Sequence, residues 1–279
     1  MMALHALNSG AGPRLFAAVS AVVLLLSCSI KEDRSDCPCL LRLEFPAEDV
    51  QAGRGRAILD VRDDSGFSYS DTLSLDKIDG AYELRVPRTG VHVNLWSEEA
   101  SGFVGDNGLV IPFGDDCPYV RMFSSSVDTD CETCTETVRL VKNYCRLTVM
   151  MDESDMDWPF ELNVCGNIDG YGIDGSPRQG VFSHYLVPSA GADPGASQET
   201  ELVRELSLPR QTDSSLRLSV MENFTALKTF ALGNYISQCG YDWTAADLQD
   251  IVVRIDYACT KLSISVGAWE HSYDVDIEF

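Results

Sequence analysis

Apolar residues recur at every second position through most of this chain, a spacing that fits strands with one buried face and little else. Leu41, Leu43 and Phe45 alternate with Arg42 and Glu44; Tyr82, Leu84 and Val86 alternate with Glu83 and Arg85 before Pro87 closes the run. Val91, Val93 and Leu95 alternate with His92 and Asn94. Turn-forming clusters such as Asp63-Asp64-Ser65-Gly66, Asp79-Gly80 and Gly105-Asp106-Asn107-Gly108 separate the runs at short intervals. Short alternating strands with frequent turns predict antiparallel sheets packed as sandwiches. A second series follows Val138, with stripes at Cys145, Leu147, Val149 and Met151, at Phe160, Leu162 and Val164, and at Leu216, Leu218 and Val220. The stretch Ser124 to Thr137 is polar and lacks an apolar period, so the boundary between two domains is expected there, giving 37–137 and 138–279.

Three departures from the strand pattern are informative. From Gly166 to Gln198 the chain is rich in Gly, Pro and Ser and reads as one or two long loops. Thr244-Ala245-Ala246-Asp247 reads as the capped start of a short helix running into Leu248 and Ile251. At the end, Leu262, Ile264 and Val266 alternate, Glu270-His271-Ser272 is expected to turn, and Tyr273, Val275, Ile277 and Phe279 alternate to the last residue. Such a terminal strand serves equally as the last strand of its own sheet, blunted by Asp274, Asp276 and Glu278, or as a strand donated to another chain.

The N-terminal segment has a different character. An apolar run of about a dozen residues from Leu15 to Leu26 ends in Ser27-Cys28, with Lys31-Glu32-Asp33 just beyond. The run is shorter than the roughly 20 residues that span a bilayer and has the length of a secretory apolar core. A small residue directly before a cysteine is the lipobox pattern of bacterial lipoproteins. The expectation is a signal peptide over 1–27, cleavage after Ser27, and lipid on Cys28. Two or three acyl chains there hold a protein durably where one does not. Residues 28–36 then form a short lipidated tether.

Composition narrows the function further. The 43 acidic residues outnumber the 21 basic ones, for a net charge of −22. That balance argues against nucleic acid, whose phosphates require clustered Lys and Arg. It suits a soluble surface protein that avoids its own anionic membrane. Of ten cysteines, Cys37, Cys39, Cys117, Cys131 and Cys134 are the candidate disulfide formers in an oxidising exported setting. A tetrahedral zinc site is the weaker alternative, since Cys-x-Cys spacing is unusual for a zinc knuckle and no histidine lies nearby. His92, His184 and His271 stand apart from one another, and no nucleophile-elbow, zinc-protease or phosphate-loop motif occurs. The run Asn167 to Gly175 has turns and oxygen ligands but lacks the spacing of a calcium loop, and reads as an acidic surface loop. The sequence therefore predicts no enzyme, cofactor, metal or small-molecule substrate. Trp96, Trp158, Trp243 and Trp269 are candidates either for packing or for stacking on sugars.

Taken in order, these residues resemble the FimB/Mfa-type fimbrial anchor family of Bacteroidales surface lipoproteins. The resemblance rests on Cys28 followed by Arg34-x-x-Cys37-Pro-Cys39-x-Leu41-x-Leu43-x-Phe45, and on Val138-Arg139-Leu140 through Leu147-Thr148-Val149. It continues through Leu232-x-x-Tyr235-Ile236, Gly240-Tyr241-Asp242-Trp243, Leu248-x-Asp250-Ile251 and Leu262 to Val266 with Trp269. It implies two tandem transthyretin-like β-sandwich domains, an all-β chain, and a role at the base of a fimbrium. It also implies that Lys31, Glu32 and Asp33 direct export to the outer face of the outer membrane. The partner it implies is a fimbrial shaft subunit, joined by a strand such as Tyr273 to Phe279. A glycan-binding surface lipoprotein of a nutrient-uptake system, and a fimbrial shaft or tip subunit, are the alternatives.

Overall fold

Among the described residues the alternating runs become twenty strands. A computed structural model describes residues 37–46, 55–152, 161–188, 201–255, 261–266 and 269–274, and the strand-bearing unit begins at Pro38. In its first half lie β1 (Cys39–Glu44), β2 (Arg56–Arg62), β3 (Ser68–Ser74), β4 (Ala81–Val86) and β5 (Val91–Ser97). They are followed by β6 (Val104–Gly105), β7 (Gly108–Val110), β8 (Arg121–Val127), β9 (Thr133–Thr137) and β10 (Val141–Lys142). The second half holds β11 (Tyr144–Asp152), β12 (Glu161–Tyr171), β13 (Pro177–Tyr185), β14 (Val187–Pro188) and β15 (Glu201–Pro209). After β16 (Arg217–Glu222) and β17 (Thr225–Phe230) comes the helix α1 (Leu232–Gln238), and then β18 (Ile251–Ile255), β19 (Lys261–Val266) and β20 (Trp269–Asp274).

Two pairs of sheets enclose two apolar cores. A sheet ordered β4-β1-β9 and one ordered β10-β8-β5-β2-β3 bury Leu41, Leu43, Leu59, Val61, Val86, Val93 and Leu95 together. A sheet ordered β14-β15-β11-β18-β19-β20 and one ordered β17-β16-β12-β7-β6, with β13 also on β12, enclose Leu147, Val149, Val164, Leu218, Val253 and Ile264. Burying each such side chain is worth about 1.5–3 kcal/mol, which is why one face of each strand is decided by its period-two stripe. The chain is an all-β sandwich protein. Pairing is antiparallel throughout the described residues except at β1–β9 and β11–β18, which are parallel. Alternation reports which face of a strand is buried and is silent on strand direction, so these two pairings were not legible.

The two cores interlock. After β5 the chain leaves the first pair of sheets: Ala100, Leu109, Ile111, Cys117 and Val120 pack into the second core, and β7 pairs with β12. That crossing requires glycine twice. Gly108 has φ +91 and a Cβ there would stand 2.3 Å from the Tyr171 carbonyl oxygen, while Gly170 has φ +147 and its Cβ would stand 2.0 Å from the Leu109 oxygen. In return, the turn after β12 reaches back to the first half. Ser124 Oγ donates to the Asp174 carbonyl at 2.9 Å, and Asn94 Nδ2 donates to the Ile173 carbonyl.

Several sequence expectations need correction. The polar stretch Ser124 to Thr137 carries the end of β8 and all of β9; strands at an open or half-covered face need few apolar residues. Val138 and Leu140, beyond it, belong to the first core. The Gly/Pro/Ser-rich stretch from Gly166 contains the end of β12 and the whole of β13, and Asn167 to Tyr171 is strand rather than an acidic surface loop. Asp169 in that strand is 7 % exposed and bound at both oxygens by Arg178, each contact 2.8 Å. Among the described residues the α-helix lies at 232–238, and Thr244 to Asp247 forms turns. There the Arg210 guanidinium takes up carbonyls that a helix would use: Nη1 donates to the oxygens of Trp243 and Ala245 and Nη2 to that of Ala246. Asp247 Oδ1 instead accepts from the Lys142 backbone N at 2.7 Å. Finally, the last hairpin turns between Val266 and Trp269, which are paired, so Glu270 to Ser272 is strand.

Candidate functional site

Of the residues with functional expectations, those that are described belong to β1 and its neighbours, to the second core and to β20. Ser27, Cys28, Lys31, Glu32 and Asp33 lie outside the described residues. So do Val275, Ile277 and Phe279.

At the front, β1 is the middle strand of its sheet. Its register to β4 runs from Cys39↔Val86 to Glu44↔Ala81, and to β9 from Leu40↔Thr133 to Glu44↔Thr137. Cys39, Leu41 and Leu43 are wholly buried, because the motif Cys39-x-Leu41-x-Leu43 places them at alternate positions facing the core. Arg42, on the outer face, pairs with Glu44 at 3.0 Å and Glu83 at 3.1 Å. These exposed pairs add little stability, so the hold on β1 comes from two ladders and a buried stripe.

The structure brings together three of the five candidate cysteines. Cys39 Sγ lies 3.3 Å from Cys134 Sγ and 3.9 Å from Cys131 Sγ. Partial burial and the adjoining Cys39 push the Cys134 thiol up to about 12. Cys117 is not part of this group. It is buried in the second core, where burial holds its thiol well above the ordinary range. Cys37 is exposed.

At the far end, β19 and β20 close the six-stranded sheet. Tyr273 of the expected terminal strand is paired with Leu262, and Asp274 with Lys261. In the sheet order β20 stands last, so its outer backbone edge has no strand partner among the described residues. An unpaired edge is the feature that strand addition requires.

A buried polar network positions the second sandwich and left no trace in sequence. Tyr171, wholly buried, donates through its hydroxyl to the Asn143 carbonyl and accepts from the Arg210 backbone N at 2.8 Å. Arg210 Nε donates to Asn143 Oδ1 at 2.8 Å. These partners stand 28 to 67 residues apart in the chain, so no local motif could announce them. Of the tryptophans proposed for sugar stacking, Trp96 is 1 % exposed, and Trp243 packs on Tyr241 with ring centroids 4.5 Å apart. Trp158 lies outside the described residues. A cleft beside His92, lined also by Asp64, Thr89 and Asp128, encloses about 200 Å³, below the usual range for small-molecule sites.

With this geometry in hand, comparison with solved structures is decisive for architecture. The fimbrial anchor protein Mfa2 from Porphyromonas gingivalis superposes with a TM-score of 0.61 at 14% identity, covering 85% of this chain and 100% of that one. The chain has the fold of a fimbrial anchor. A proposed adhesin from Bacteroides ovatus matches at TM-score 0.55 and 12% identity, covering 85% of this chain and 96% of that one. A proposed polysaccharide-binding protein from Bacteroides thetaiotaomicron matches at 0.54 and 14%, covering 85% and 98%. No protein-family model matches the sequence, and comparison with curated proteins gave no match. The Mfa2-type fold is thus shared at an identity where structure persists and side chains have almost wholly changed.

Proposed function

We propose that this chain is an outer-membrane surface lipoprotein that holds the base of a fimbrium and ends its growth. Lipid on Cys28 fastens it to the membrane, and strand pairing near its C terminus joins it to a fimbrial shaft subunit. The observation that carries the reading is the fold shared with a fimbrial anchor over the whole of that protein, in a chain whose lipobox cysteine stands eleven residues before Cys39, where β1 begins.

Mechanically, the placement of β1 is apt. Tension on a filament tethered at Cys28 reaches the sandwich through β1, and extracting a central strand breaks both of its ladders at once. A strand so held is not vacated for a neighbour, so the chain offers no acceptor groove at its front and assembly stops there. At the other end, the strand Tyr273 to Phe279 is the one offered to the shaft, its first two residues being the end of β20. A truncation removing 275–279 tests this without cutting into β20. The expected result is a folded, lipidated protein from cells that shed fimbriae into the medium. Normal retention rejects strand donation, and retention in a Cys28→Ala strain rejects lipid anchoring.

A second reading has a specific observation in its favour, the similarity to the proposed polysaccharide-binding protein. Loss of growth on one polysaccharide after gene deletion, with fimbriae retained, selects that reading instead.

A further inference from the structure

Among the described residues, one group of three metal-ligating or redox-active side chains converges: the thiols of Cys39, Cys131 and Cys134, all within 4.8 Å of one another. The parallel register Leu41↔Cys134 places Cys39 and Cys134 on the same face of neighbouring strands, one step apart diagonally. Cys131 sits in the turn before β9, where its backbone N donates to the Thr129 carbonyl at 2.8 Å. Its thiol donates to the Thr133 carbonyl at 3.3 Å. The three differ in exposure: Cys39 is wholly buried, whereas Cys131 and Cys134 are reachable from solvent.

We propose that Cys39 and Cys134 are joined by a disulfide in the exported protein, and that this bond clamps β1 to β9. The pair is already 3.3 Å apart, so a modest side-chain adjustment brings the sulfurs to the roughly 2.05 Å of a bond. Zinc fits less well. Thiolates arranged tetrahedrally at about 2.3 Å from zinc stand roughly 3.8 Å apart, wider than this pair, and among the described residues no fourth ligand joins the group. Burial pushes the Cys134 thiol up to about 12, so spontaneous oxidation is slow and a catalyst is required.

The oxidant is an exported dithiol–disulfide oxidoreductase in its disulfide form. The accessible Cys134 thiolate, having given up its proton, attacks one sulfur of that disulfide; the other sulfur leaves as a thiolate and is protonated. Cys39, deprotonated in turn, attacks the Cys134 sulfur of the mixed disulfide and expels the oxidoreductase thiolate. Two electrons and two protons pass from the pair to the oxidoreductase, which leaves as a dithiol. Cys131, 3.9 Å from Cys39, stays a thiol.

The consequence rests on the anchoring reading. Cys39 is the first residue of β1 and Cys134 lies 95 residues on, so the cross-link sits where tension from the tether enters the sheet. Force then passes through a covalent bond into β9, and the hydrogen-bond ladder is spared. β1 is unable to unzip from its loaded end.

The test uses the full chain, extracted in detergent from native membranes and alkylated at once to trap free thiols. Proteolysis and tandem mass spectrometry are expected to locate a Cys39–Cys134 link with Cys131 alkylated. Reduction of the wild-type protein is expected to speed proteolytic release of β1 by up to roughly 10³-fold, the population factor that closing so long a loop contributes. A Cys39–Cys131 link, three alkylated thiols, one zinc ion per chain, or equal release rates before and after reduction overturns the proposal. A mapped bond with undiminished fimbrial retention in a Cys39→Ser, Cys134→Ser strain overturns the clamp. Failure of the anchoring reading shows separately, as fimbriae retained by the Cys28→Ala strain.

Discussion

Replacing Tyr171 with Phe isolates a single hydroxyl at the heart of the second sandwich. The ring is wholly buried and packs on Trp96 with centroids 6.4 Å apart, so Phe keeps the apolar contact. What is lost is the bridge between the Asn143 carbonyl and the Arg210 backbone N–H. Burial holds this phenol well above its ordinary range, so it remains a donor at any working pH. Each buried group left without a partner costs about 1–3 kcal/mol; two such groups, partly relieved by relaxation, give about 2–4 kcal/mol. In a chain of this size, 3 kcal/mol corresponds to a fall of roughly 6–12 °C in Tm. Urea unfolding followed by circular dichroism reads the loss directly. The same change frees Arg210 to drift from the carbonyls of Trp243 and Ala245, so amide exchange is expected to quicken in the 243–248 turns before it does in β1 or β2. A loss below about 0.5 kcal/mol, the usual range for an inconsequential substitution, refutes the bridging role.

Two further predictions concern single residues elsewhere. The β16–β17 hairpin turns at Asn223 and Phe224, with φ +48 and +63, and Phe224 is 82% exposed. Because a left-handed non-glycine residue costs about 1–2 kcal/mol and glycine returns part of that as unfolded-chain entropy, Phe224→Gly is expected to stabilise by about 0.5–1 kcal/mol in thermal unfolding; destabilisation refutes it. Burial raises the carboxyl of Asp116 above its ordinary value of 3.8, against the hydrogen bond it accepts from the Ser207 N at 2.7 Å. A carboxyl raised in the folded state stabilises most below its unfolded value, and that contribution is lost as pH rises through the folded one. Asp116→Asn keeps an oxygen acceptor without the charge, so its stability is expected to hold better than wild type's from about pH 4 to pH 7; parallel profiles in urea titrations at the two pH values refute the assignment.

Local chemistry was enough to specify the β class of this protein and the buried face of strand after strand. Leu41 and Leu43, Leu84 and Val86, and Cys145, Leu147, Val149 and Met151 all point inward as their alternation demands, because a one-residue slip would expose a whole stripe to water. What alternation leaves open is everything decided by partners remote in the chain. The direction of β9 beside β1, the excursion that carries Leu109 and Ile111 into the second core, and the glycine crossing at Gly108 and Gly170 follow from which sheet edge each segment meets. Thr244 to Asp247 has the composition of a helix start and lacks the helix, since Arg210, more than thirty residues away, occupies the carbonyls first. The same holds for the thiols. Cys37-Pro-Cys39 and Cys131-Glu-Thr-Cys134 were visible as pairs, yet only the pairing of β1 with β9 brought Cys39 to Cys134 and Cys131, and the excursion after β5 took Cys117 to the other core. Side-chain periodicity is a property of neighbours along the chain. Pairing is a property of neighbours in space, and only folding supplies those.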